Sequence, residues 1–151
     1  MTRKALFMGT TSVSSQRTLS EIIACLVKAG ARQINQTYGE GGRLIGVRFT
    51  LEVLPGNTQC FSLPAKTEPV FKVLWKQVKR PGKHTEVETK SKAERIAWRQ
   101  LYRWVEAQLA MIEIGMVEAG EVFLPYMQRP DGRTLFECFK EQGMKLLSAG
   151  K

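Results

Sequence analysis

The sequence predicts an α+β protein, in which a three-stranded antiparallel meander packs with an N-terminal helix and precedes a helical C-terminal half with one long helix. Residues 45–53 alternate strictly between apolar and polar types, which is typical of a strand with one buried face. Short turn sequences join the neighbouring strand segments, so the strands are expected to pair antiparallel. Apolar residues at helical spacing precede the strands and follow them over a long stretch at about 92–114.

The N-terminal region is predicted to be a loose arm, residues 1–17, followed by a helix over about 19–29. The arm is rich in Ser and Thr and carries few structural signals. Thr18 and Glu21 have the spacing of a capping box, which satisfies backbone amides at a helix start, and Gly30 suits the helix end. The apolar residues at helical spacing are Leu19, Ile22, Ile23, Leu26 and Val27.

Three strands are predicted at about 32–38, 45–53 and 59–63. Glycine-rich residues 39–42 form the first connection, and a Pro-Gly-Asn turn at 55–57 forms the second. The residues expected to face the core are Ile34 and Tyr38 in the first strand, Ile45, Val47, Phe49, Leu51 and Val53 in the second, and Phe61 and Leu63 in the third.

A second helix is predicted to begin at Thr67 and Pro69, because proline is tolerated in the first helical turn. The stretch that follows it, residues 79–91, is polar and charged and is interrupted by Pro81 and Gly82. We therefore expect a flexible basic loop at 79–91.

The long helix is predicted over about 92–114, since Ser91 and Glu94 form a second capping box. A short helical turn is expected around 118–123. Both elements belong to the helical C-terminal half.

A final helix is predicted to begin at a third capping box, Thr134 and Glu137, and to continue to about Leu147. No internal repeat and no long linker interrupts the sequence, so residues 1–151 are predicted to form a single domain.

The charge of the chain is strongly positive and unevenly distributed. The formal net charge is +9 and the isoelectric point is about 9.7. Eleven basic residues and four acidic residues lie between Lys66 and Arg103. Such a balance favours polyanions or acidic surfaces as partners.

The sequence argues against catalysis, metals and cofactors. Cys25, Cys60 and Cys138 are far apart and form no CxxC pair, so they indicate no zinc or redox motif. His84 is the only histidine and Asp131 the only aspartate, which leaves no residue set for a metal-dependent reaction. No apolar run is long enough to cross a membrane, so we expect a cytoplasmic protein.

The candidate binding surface is a nucleic-acid interface on the long helix. Lys92, Arg95, Arg99 and Arg103 recur at three- and four-residue steps and so share one face. Trp98 and Tyr102 lie beside them and could stack on unpaired bases; the alternative is a solvated face with both rings in the core. The full candidate set is Lys79, Arg80, Lys83, Lys90, Lys92, Arg95, Trp98, Arg99, Tyr102 and Arg103, with Arg48 on the outer strand face.

Three runs in the C-terminal half carry a family resemblance: WVEAQLA at 104–110, preceded by Trp98, Arg99 and Leu101, then EVFLPY at 121–126 and DGRT at 131–134. They resemble segments of a group of small uncharacterised phage and prophage proteins. The resemblance covers roughly 94–134 and implies a phage or mobile-element setting in a bacterial host cell. It carries no activity with it.

The function expected from the sequence is non-enzymatic binding of nucleic acid, with single strands preferred and little sequence preference, in replication or recombination. The alternative is a protein-interaction module, such as a phage inhibitor that docks on an acidic host protein. The sequence leaves the oligomeric state open, because Trp75, Trp98 and Tyr102 could equally anchor an interface between copies of the chain.

Overall fold

The computed structural model describes residues 5–143, which confirm the α+β class. The chain forms two compact units, each discontinuous in sequence. Unit 1 comprises Met1–Cys25 and Pro64–Ala107, and unit 2 comprises Leu26–Leu63 and Gln108–Lys151. That the whole chain is a single domain stays a prediction.

The elements follow the predicted order. The helices are α1 (Ser15–Lys28), α2 (Thr67–Trp75), α3 (Lys83–Glu113), α4 (Ala119–Phe123) and α5 (Leu135–Glu141), and the strands are β1 (Arg32–Tyr38), β2 (Leu44–Leu54) and β3 (Asn57–Pro64). Short 3-10 turns occupy Glu40–Gly42 and Leu124–Tyr126. The predicted end of the last helix, Leu147, lies outside the described residues. No helix within residues 5–143 has the length and apolar character needed to cross a membrane.

The first helix begins four residues earlier than predicted, so the capping box at Thr18 and Glu21 is wrong. Ser14 caps the helix instead, because its Oγ accepts the backbone N–H of Arg17 at 3.2 Å. Thr18 lies inside the helix and is buried. Residues 5–14 of the predicted arm are irregular. One contact of this segment is a hydrogen bond that Gln100 donates to the Phe7 carbonyl at 2.8 Å. The first four residues of the arm lie outside the described range.

The three strands form one antiparallel sheet in the order β1-β2-β3, as predicted. The alternation on β2 holds at its centre, where Val47, Phe49 and Leu51 are buried. It fails near the strand start, because Thr37 pairs with Gly46 and the next residue, Tyr38, pairs with Leu44.

This register shift leaves Ile45 as an extra residue on β2. The side chain of Ile45 is consequently 42% exposed and that of Tyr38 is 53% exposed. The prediction that both face the core is wrong, since a bulge reverses the sense of the alternation beyond it.

The core of unit 2 is an aromatic cluster. Phe49, Phe61 and Phe123 are fully buried, and their ring centroids lie 5.5 to 5.7 Å apart. The capping box of α5 is confirmed, because Thr134 Oγ1 accepts the Glu137 N–H while Glu137 accepts the Thr134 N–H.

The long helix α3 has 31 residues and begins at Lys83, so the predicted flexible loop at 79–91 is wrong from residue 83 onward. Two pairs at four-residue spacing stabilise the added turns: His84 with Glu88 at 3.0 Å and Glu86 with Lys90 at 3.2 Å. The second capping box is wrong for the same reason, since Ser91 lies within the helix and its Oγ accepts a hydrogen bond from Arg95.

Candidate nucleic-acid interface

The positive charge of the chain belongs almost entirely to unit 1. Unit 1 contains 14 basic and six acidic residues, a net charge of +8, whereas unit 2 contains nine basic and eight acidic residues, a net charge of +1. Unit 1 is therefore the part of the chain that attracts polyanions.

Two of the four residues in the predicted basic stripe on α3, Arg99 and Arg103, form ion pairs within the protein. Arg99 Nη1 lies 2.9 Å from Glu21 Oε2 on α1, and the Arg99 side chain is only 11% exposed. Arg103 Nη1 lies 2.9 Å from Glu106 Oε1. A phosphate that bound either guanidinium would have to displace a carboxylate.

Tyr102 contacts three of these charged side chains, Arg99, Arg103 and Glu106. The guanidinium carbons of Arg99 and Arg103 lie 4.6 Å and 5.5 Å from the centroid of its ring. Its hydroxyl donates to Glu106 Oε2 at 2.9 Å, which is the main cause that raises the pKa of Tyr102 to about 12 and also lowers the pKa of Glu106. Two cations already lie over the Tyr102 ring, so it offers little room for a base.

Trp98 cannot stack on a base in this conformation, because its side chain is 0% exposed. Its Nε1 is also buried and has no hydrogen-bond partner within the described part of the chain. The burial of Trp98 contradicts its interpretation as a stacking residue. Of the alternative, a solvated face with both rings in the core, the part that concerns Trp98 holds, whereas Tyr102 is only half-buried.

We expect Arg99→Ala to lower the free energy of unfolding by about 1–3 kcal/mol, because it removes the nearer and more buried of the two partners of Glu21 and leaves only Arg17, at 3.4 Å on the exposed side. The matched control is Arg103→Ala, whose pair with Glu106 is well exposed and contributes about 0–1 kcal/mol. Urea unfolding followed by circular dichroism measures both losses. Equal, small losses would contradict a structural role for Arg99.

A different group of cations is unpaired. We define the α2–α3 basic segment as residues 72–83, which contain five basic residues and no acidic one. All five side chains are exposed, and none forms an ion pair with any described residue; they are Lys72, Lys76, Lys79, Arg80 and Lys83.

The sequence-based set contained only three of these five, Lys79, Arg80 and Lys83. Lys72 and Lys76 were missed because they lie at the second helix, outside the long helix and the predicted basic loop from which the set was drawn. The signal that identifies all five is the absence of acids over 12 consecutive residues.

The other predicted site residues differ in their surroundings. Lys92 is exposed and forms no ion pair within residues 5–143, and Arg95 contacts Ser91 at 3.1 Å. Lys90 pairs with Glu86, and its Nζ lies 5.7 Å from the centroid of the Phe71 ring. Arg48 is half-buried on β2 in unit 2, and its buried Nε has no hydrogen-bond partner among the described residues.

Unit 2 carries a second candidate surface, which is apolar where the α2–α3 basic segment is charged. A groove of about 430 Å³ lies beside α5, and the exposed side chains of Leu124 and Phe136 line it. Its remaining lining residues are Pro125, Arg129, Leu135, Cys138, Phe139 and Gln142.

Metal chemistry has no candidate cluster in the described part of the chain, where no three His, Cys, Asp or Glu side chains are arranged to hold an ion. His84 is exposed at the start of α3 and contacts Glu88. Comparison of the chain with protein-family models, with curated proteins and with solved structures finds no match.

Proposed function

We propose that this protein is a non-enzymatic nucleic-acid-binding protein that takes single strands of DNA or RNA with little sequence preference. The observation that supports this most is the α2–α3 basic segment, where five exposed cations have no acidic partner among the described residues. Cations that are already paired, such as Arg99, contribute less, because their charge is neutralised within the protein.

The chemistry of the segment favours contacts to the backbone of a nucleic acid rather than to base edges. Four of its five cations are lysines, which act on phosphate as flexible point charges and read no sequence. Binding driven by phosphate neutralisation releases counterions, so the affinity falls steeply with salt.

The proposed phage or mobile-element setting, a role in replication or recombination, and a cytoplasmic location in a bacterial host belong to the same proposal. They rest on the resemblance of the segment at about 94–134 and on the charge of the chain.

The test is fluorescence anisotropy with labelled 20-nucleotide single strands and duplexes between 50 and 200 mM salt. If all five cations contact phosphates, the log–log salt slope for a single strand is about −3.5, and the affinity falls roughly 100-fold over this range. Absence of binding to either form at 50 mM salt would contradict the proposal.

A second candidate function, docking on a protein partner, is favoured by the groove beside α5 in unit 2. Exposed apolar side chains around a groove are typical of protein–protein contacts. Phe136→Ser would then weaken capture of the partner and leave nucleic-acid binding unchanged, which separates the two functions.

A further inference from the structure

We infer that Trp75 on α2 is the base-stacking residue of the nucleic-acid interface, an inference that rests on the proposed function and names its aromatic contact. Single-strand binders combine a basic track with an aromatic side chain on which a base stacks. The two aromatic residues first considered for that role, Trp98 and Tyr102, are buried and covered by cations, respectively.

Helix α2 lacks the burial that an apolar helix face normally has. Four of its nine residues are large or branched apolar types at positions 70, 71, 73 and 74, and Trp75 ends the helix. Nevertheless, no residue of α2 is fully buried. Trp75 itself is only partly buried, unlike Trp98.

The indole of Trp75 is held in a defined orientation. It stacks on the ring of Phe71, with the ring centroids 5.5 Å apart and an angle of 21° between the ring planes. Lys90 Nζ lies 5.7 Å from the Phe71 centroid. Phe71 thus contacts both a cation and the Trp75 indole, and a base that stacks on Trp75 would add to this aromatic cluster.

The position of Trp75 in the chain places it within the α2–α3 basic segment. Lys72 precedes it by three residues on the same helix and is therefore its neighbour on the helix surface. Lys76 follows it directly, and Lys79, Arg80 and Lys83 lie within the next eight residues. Phosphates on Lys72 and Lys76, the nearest of these cations in sequence, would bring the attached bases close to the indole.

Charge complementarity selects a nucleic-acid base over other occupants of this face. The segment contains no acid, and its five cations form no ion pair within residues 5–143, which suits the regularly spaced phosphates of a single strand. A duplex keeps its bases stacked on one another, so an aromatic platform adds affinity only for unpaired bases.

The experiment compares two probes of equal length, the oligonucleotide dT15 and a 15-unit abasic phosphodiester that has the same charge and no bases. We expect the wild-type protein to bind dT15 about tenfold more tightly than the abasic strand. Trp75→Leu should bind both strands equally, with its affinity for the abasic strand unchanged. Trp104→Leu, the matched control on α3 in unit 1, should keep the tenfold preference.

Two outcomes would overturn the inference while the proposed function stands: equal binding of both strands by the wild-type protein, or a base preference that persists in Trp75→Leu. Failure of the wild-type protein to bind either strand would contradict the proposed function itself. Trp75→Phe keeps an aromatic ring, so it tests whether a loss of base preference in Trp75→Leu comes from the missing ring or from a folding defect. It should retain most of the preference for dT15 and lose the fluorescence quenching that dT15 causes in the wild-type protein.

Discussion

Replacing Lys76, Lys79, Arg80 and Lys83 together with Gln is expected to weaken single-strand binding by roughly two to three orders of magnitude near 100 mM salt. These side chains are exposed and form no ion pair with described residues, so their loss removes phosphate contacts without breaking contacts within the fold. The log–log salt slope should become less steep by about 2.8, at about 0.7 per lost contact with a single strand. Anisotropy titrations over a salt series measure both quantities.

The matched control lowers the net charge by the same four units in unit 2. Lys28, Arg32, Arg129 and Lys140 are all exposed, and none forms an ion pair with any residue between 5 and 143. Their replacement with Gln should reduce the affinity for single strands less than tenfold, because it changes only the long-range electrostatic attraction that follows from the net charge. Equal losses in the two variants would show that net charge, and not the α2–α3 basic segment, determines binding.

Trp98→Ala is expected to lower the free energy of unfolding by about 3–5 kcal/mol, because it removes the largest fully buried side chain of the described chain. For a protein of this size the melting temperature should fall by roughly 6–20 °C. The affinity of the folded protein for single strands should not change, since Trp98 presents no surface to a ligand.

Trp98→Phe is the companion variant. It keeps an aromatic ring, and it loses no hydrogen bond, because Nε1 has no partner among the described residues. Its cost should be on the order of 1–2 kcal/mol, smaller than that of the Ala variant. Thermal melts and single-strand binding titrations on the same samples distinguish the two roles. A Trp98 variant that binds single strands weakly but keeps the wild-type melting temperature would show that Trp98 belongs to the nucleic-acid interface.

The fold class and the strands could be predicted from the sequence because their signals are local. The alternation of β2 and the turn at Gly56 act within a few residues, and the observed strands match the predicted ones closely. Helix starts were harder to predict. Ser91 and Glu94 match a capping box in spacing, yet the favourable pairs of residues 84–90 extend the helix past them.

The candidate site was less predictable because charge pairing depends on tertiary structure. Arg99 and Glu21 are 78 residues apart in the sequence, and no local pattern connects them. The same holds for the burial of Trp98. The unpaired state of the α2–α3 basic segment is the exception, since a stretch without acids has no local partner for its cations.

The irregular strand β1 affects how copies of this protein meet at high concentration. β1 is an outer strand of the sheet, and two of its residues, Gln33 and Ile34, stand opposite the single residue Phe49. Gln33 has a φ of 48°, so the backbone turns away from a straight ladder there. A strand edge bent in this way is a poor template for a strand from another molecule, which protects this edge of the sheet from edge-to-edge aggregation.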